Sequence, residues 1–139
     1  MTTRRDARRV AIDILYQADV TGDDAMLVLE SWVEAGRGVP PFTQELVDGV
    51  SEHGPAIDLL LEEHTQGWTV ARMAALDRTI LRLAVEELRY REDVPAAVAI
   101  SEAVEAASEL SAEESRAFVN GILGRIAEEP EVPGAGTPG

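Results

Sequence analysis

A chain of 139 residues has room for one domain, or for two small subdomains sharing a core. Hydrophobic residues at 45% and charged residues at 27% exclude a disordered chain, and the absence of cysteine excludes disulfides, thiol nucleophiles and Cys-ligated metals while fitting a reducing compartment. The net charge of −14, with every base an arginine, describes an acidic body that repels nucleic acid at long range.

Met1–Arg5 is not followed by an apolar run, and no stretch approaches the roughly 18 apolar residues of a membrane span. The expected location is therefore cytoplasmic, with no signal peptide. Strand signals are nearly absent and helical spacing recurs along the chain. A first helix over about Thr3–Asp19 places Ala7, Val10, Ala11, Ile14, Leu15 and Ala18 on one stripe. Its opening residues also hold Arg4, Arg5, Arg8 and Arg9 against only Asp6 and Asp13, so one end is basic. At about 100° per residue, Arg5, Arg9 and Tyr16 share a face outside the apolar stripe. Guanidinium groups bind phosphate and a phenol ring can stack an unpaired base, a combination suited to single-stranded RNA. A solvated basic face with Tyr16 at the core edge accounts for the same residues equally well.

Thr21 is placed to cap a second helix over about Asp23–Ala35, and the segment 36–41 reads as a loop. A third helical region over about Pro41–Thr65 should kink or split at His53-Gly54-Pro55. The fourth, from Thr69 to about Tyr90, carries Arg78, Arg82, Arg89, Glu86 and Thr79 on a polar strip. Glu87 and Asp77 fall inside its apolar arc. An internal ion pair or helix cap suits Glu87, whereas Asp77, near the helix start, also suits contact with a partner. Pro95 starts a helix over Ala96–Glu109, and Ser111 with Glu114 has capping-box spacing for a last helix to about Glu128. Gly121 and Gly124 on that helix suggest a close helix approach. Residues 130–139 are rich in Pro and Gly and lack an apolar pattern, which predicts a disordered tail after a domain spanning 1–129. The expected architecture is all-α, a bundle of six to seven helices.

Catalytic patterns are missing. His53 and His64 lack a ligand-like setting and read as surface residues, and phosphate-binding loops and nucleophile elbows are absent. No cofactor or metal is expected, and a carboxylate enzyme is the weakest reading. A protein-binding adaptor that uses its acidic face without recognising RNA is the stronger alternative to an RNA-binding protein.

Four stretches in order resemble the NusB family of bacterial transcription antitermination factors. They are Arg4-Arg-Asp-Ala-Arg-Arg-Val-Ala-Ile-Asp-Ile-Leu-Tyr16; Asp77-Arg-Thr-Ile-Leu-Arg-Leu-Ala84 with Glu87-Leu88; Asp93-Val-Pro95 with Ala99-Ile-Ser-Glu-Ala103; and Glu114-Ser-Arg-Ala-Phe-Val-Asn-Gly121. The resemblance implies two small packed helical subdomains and no enzymatic activity. It also implies binding of the boxA element of nascent ribosomal RNA together with the ribosomal protein NusE, and loading onto RNA polymerase with other Nus factors to suppress premature termination. On that basis Arg4, Arg5, Arg8, Arg9 and Tyr16, with Glu114 and Arg116, belong to the RNA surface. Asp77, with Arg82 and Glu87, belongs to a NusE-facing helix. Both monomers and homodimers fit the resemblance. The chain departs from the family at Ala96-Ala97 and Arg116-Ala117, where Tyr-Lys and His-Lys are frequent, so two lysines able to meet phosphate are absent.

Overall fold

The structure, a computed structural model, describes residues 3–129. The tail expected over 130–139 lies outside them. Among the described residues there are seven α-helices and no strand: α1 Arg4–Thr21, α2 Ala25–Glu34, α3 Pro41–Glu52, α4 Gly54–Glu63, α5 Ala75–Tyr90, α6 Ala96–Leu110 and α7 Glu113–Glu128, with a 3₁₀ turn at Val70–Arg72. None of these helices is long and apolar enough to cross a membrane. One group of packed helices is α1, α2 and α3; another is α5, α6 and α7; α1 and α3 pack on α5 across the middle, and α4 leans on α5. The core is continuous through both groups, with Ile14, Leu46, Ile80, Leu81, Ile122 and Leu123 among its fully buried side chains.

The stripe expected on α1 is largely the buried one: Ala7, Ala11, Ile14, Leu15 and Ala18 are inside, joined by Ile12 and Arg8, while Val10 is half-buried. Thr3 starts the helix with a capping box, its hydroxyl accepting from the Asp6 amide at 3.1 Å while Asp6 accepts from the Thr3 amide at 3.3 Å. Gly22 ends it in the left-handed conformation, φ 78°. Thr21 does not cap α2. It closes α1, donating to the Gln17 carbonyl, and Asp24 caps α2 by accepting from the Met26 amide at 2.8 Å. The split at His53 occurs as expected, with α3 ending at Glu52 and α4 beginning at Gly54.

Two other expectations are corrected, one on Thr69 and one on the α7 glycines. Thr69 does not open one long helix. The chain makes a short 3₁₀ turn and breaks at Met73-Ala74, because Arg78 takes the carbonyls of Ala71 and Met73 while Glu62 accepts from the Val70 amide. The polar strip of α5 is satisfied by the protein itself: Thr79 and Glu86 are buried, Arg78 bonds Asp19, Arg82 bonds Asp58, and Arg89 donates to the Ile126 carbonyl. It is a seam of ion pairs turned inward. Gly121 and Gly124 do not mark a close approach either, since Cβ atoms there would meet ordinary contact or open space. The glycine that does is Gly49 of α3, where a Cβ would overlap the Glu86 carboxylate.

Neither histidine is a free surface group. His53 bonds Glu86 through Nδ1 at 2.8 Å and stacks on Tyr90 at 3.6 Å, and His64 bonds Glu129 through Nε2 at 2.6 Å. Burial pushes the Glu86 carboxyl above its ordinary range, with the His53 contact pulling the other way.

Candidate nucleic-acid interface

The basic end of α1 is built from two sets of arginines that the fold treats differently. Arg8 points into the core and lies against Glu87 of α5, with Nε at 2.8 and 3.0 Å from the two carboxylate oxygens and a terminal nitrogen at 2.8 Å. The Glu87 side chain is 2% exposed, and burial pushes its carboxyl upward while the hydrogen bonds from Arg8 hold it down. Of the two roles open to Glu87, the structure shows the internal ion pair. It also withdraws Arg8 from the surface on which the sequence set it.

Arg4, Arg5 and Arg9 remain outside, and each meets a carboxylate. Arg4 bonds Asp93 at 2.7 Å, in the turn between α5 and α6. Arg5 bonds both oxygens of Glu102 on α6 at 3.2–3.3 Å, and Arg9 bonds Glu109 at the end of α6 at 2.9 Å. Arg4 also sits 4.2 Å from the centre of the Phe42 ring, which Arg91 and Arg8 approach at 5.1 and 5.4 Å. Phe42 is thus a shared platform for three cations. Tyr16 lies on the Arg5/Arg9 side of α1, 41% exposed, so its ring is available for stacking. The distance along α1 from Arg5 to Tyr16 is about 16 Å at the helical rise.

Elsewhere the sequence-derived residues divide. Glu114 and Arg116 are exposed on α7. Glu114 does not reach back to Ser111, because α7 starts from Ala112 without a side-chain cap. The Ser111 hydroxyl instead donates to Asp77 at 2.7 Å and shares a bond with Ser115 at 2.9 Å. Asp77 therefore ties the start of α5 to the α6–α7 junction while staying half-buried. Arg82 is held by both oxygens of Asp58 at 2.8 and 2.9 Å with Asp19 at 3.8 Å, and Glu87 by Arg8, so neither is a free group on an open helix face.

Composition reasoning missed the carboxylates that answer the arginines. Glu102, Glu105 and Glu109 repeat at helical spacing on α6, a signal visible in the sequence once α6 is known to lie beside α1. Hydrogen bonds from Arg4 and Arg91 hold the Asp93 carboxyl at about 2. Since this lies below its unfolded value, Asp93 contributes stability above about pH 4 that is lost as pH falls through about 2. Asp93→Asn should flatten the acid limb of a urea-midpoint profile between those values and leave the neutral region little changed. An unaltered limb would show that the contact is not maintained in solution.

The NusB family model matches residues 5–128. The transcription antitermination protein NusB of Saccharopolyspora erythraea is 50% identical over 131 residues, covering 91% of this chain and 88% of that protein. Among solved structures, NusB of T. maritima superposes with a TM-score of 0.83 at 33% identity, covering 96% of each chain. A chain from the crystal structure of antitermination factors NusB and NusE in complex with dsRNA matches with a TM-score of 0.79 at 26% identity, over 90% of this chain and 96% of that one. A family match along nearly the whole described chain, together with the same all-helical fold, leads to one conclusion: the chain belongs to the NusB family.

Proposed function

We propose that this protein is a non-catalytic transcription antitermination factor acting in the cytoplasm. It binds the boxA element of nascent ribosomal RNA together with NusE and joins the elongating RNA polymerase to suppress premature termination. The observation that carries the RNA part of this reading is the α1 face, where Arg5, Arg9 and Tyr16 combine phosphate donors with an exposed ring. Arg4 adds a third cation beside them, and Glu114 and Arg116 continue the surface on α7. Arg8 and Glu87 act from inside, fixing α1 against α5 so that the outer arginines keep their spacing. Asp77 is the NusE-facing residue of α5, the one acid of that set with an accessible edge.

The related complex contains duplex RNA, whereas a stacking tyrosine suits an unpaired base. Titration of this protein, with and without NusE, against a boxA-like single strand and its duplex therefore tests the reading. Expected is preferential binding of the single strand, tightened by NusE. Binding of NusE with no RNA affinity under either condition would contradict RNA recognition and leave a protein-binding adaptor.

A further inference from the structure

Every outward arginine of α1 already holds an anion of its own chain. Arg5 is 57% exposed and carries no burial to hide it, yet its Nε and one terminal nitrogen are spent on Glu102, whose side chain is only 17% exposed and is fixed in the α1–α6 groove. Arg9 gives a terminal nitrogen to Glu109, about two turns further along the same face of α6, and Arg4 gives one to Asp93. These contacts strengthen the cationic form of Arg5 and favour the anionic form of Glu109, as mutual pairing does. A carboxylate that engages two nitrogens of one guanidinium edge occupies the geometry a phosphate would use. The match is chemical as well as geometric, since the carboxylate and the two non-bridging phosphate oxygens each offer a pair of anionic acceptors to the same donors.

We propose that Glu102, seconded by Glu109, is an internal competitor for RNA phosphate and sets the selectivity of the α1 face. This rests on the reading of α1 as the RNA surface. A phosphate reaches the Nε edge of Arg5, the edge that gives two parallel hydrogen bonds here, only by displacing Glu102, and the displaced carboxylate then stays beside the strand as a repulsive neighbour. Contacts of RNA in general therefore start at a deficit at all three outward arginines, with the α6 carboxylates answering Arg5 and Arg9. A strand that also places a base on Tyr16 has stacking to offset that deficit, and one that offers backbone alone does not. Competition of this kind lowers affinity for all RNA but lowers it most, in relative terms, where phosphate contact is the whole of the binding.

The test is fluorescence-anisotropy titration, at one fixed ionic strength, of labelled boxA-like and scrambled single strands against the full-length protein. Wild type, Glu102→Gln, Glu109→Gln and Glu34→Gln are compared. Glu34 is an exposed acid of α2, so its variant reports the effect of losing one negative charge anywhere. Glu102→Gln is expected to tighten the scrambled strand about two- to fivefold beyond the Glu34→Gln control, the range an exposed pair supports, and to narrow the gap to the boxA-like strand. Glu109→Gln, on an exposed side chain that no fold contact requires, should move the same way by less. Equal affinities for Glu102→Gln and Glu34→Gln, with wild-type RNA binding intact, would overturn competition and leave the RNA reading standing. Weaker RNA binding in both Glu102→Gln and Glu109→Gln would also overturn it, since the carboxylates would then be positioning the arginines. Absence of RNA binding by wild type would remove both readings together.

Discussion

Replacing Arg8 with methionine should cost about 3–5 kcal/mol of folding stability, the loss expected when one partner of a buried ion pair is deleted. Methionine fills much of the same volume, so the cost comes from the Glu87 carboxylate left without its cation. That carboxylate is nearly inaccessible and has no water-facing edge to fall back on. Burial already pushes its proton affinity up, and removing Arg8 removes the contact that holds it down. A carboxyl whose folded value is raised contributes stability that is present at pH below its unfolded value and is lost as pH rises through the folded one. The variant should therefore regain stability as pH falls from neutral toward the ordinary carboxylate range, measured by denaturant midpoints. Adding Glu87→Gln should restore much of the loss at neutral pH, as a double-mutant cycle can show. A loss below about 1 kcal/mol in the single variant would contradict a buried, mutually dependent pair.

The second large effect is coupling between RNA and NusE. A protein of net charge −14 approaches RNA against its own field, and the three outward arginines are each engaged with a carboxylate. Alone, it should bind RNA weakly. A basic partner on the acidic surface cancels part of that repulsion and adds phosphate contacts, so NusE should tighten RNA binding by about five- to 150-fold. Linkage requires RNA to tighten NusE by the same factor. Asp77→Asn keeps an acceptor for Ser111 and removes the charge. It should weaken NusE and ternary RNA binding with little change in melting temperature and in binary RNA affinity. Calorimetric titrations around the cycle check this, and a large fall in melting temperature with both activities lost together would assign Asp77 to the α6–α7 tether alone. RNA affinity that is equal with and without NusE would contradict coupling outright.

The fold was legible because its signals are local. Apolar spacing on α1, Pro55 at the α3–α4 break and Pro95 before α6 each act within a turn of themselves. Some errors were local, as where Thr21 closes α1 and Asp24 caps α2, but those that bear on the site came from residues whose partners are distant in sequence. Ser111 has capping-box spacing with Glu114, but Asp77, 34 residues away, takes its hydroxyl. Arg8 and Glu87 look like a surface cation and an oddly placed acid until α1 is laid on α5, 79 residues apart. The polar strip of α5 likewise says nothing of its partners, since Asp19, His53 and Asp58 that satisfy it lie elsewhere in the chain. In the candidate site, residue types were readable and roles were not. Four arginines look alike in sequence, and only packing separates the one that braces the helix from the three that face outward.

That separation gives the most direct test of the account, the salt dependence of RNA binding. Each phosphate neutralised on a single strand contributes about −0.7 to the slope of log affinity against log salt. Three outward arginines predict a slope of about −2, where counting Arg8 as a fourth contact would give roughly −3. Arg5→Ala with Arg9→Ala should weaken binding of the boxA-like strand and bring the slope to about −1, with the melting temperature held near wild type because both side chains are outside the core. An unchanged slope in a folded double variant would contradict the assignment of RNA binding to this face of α1.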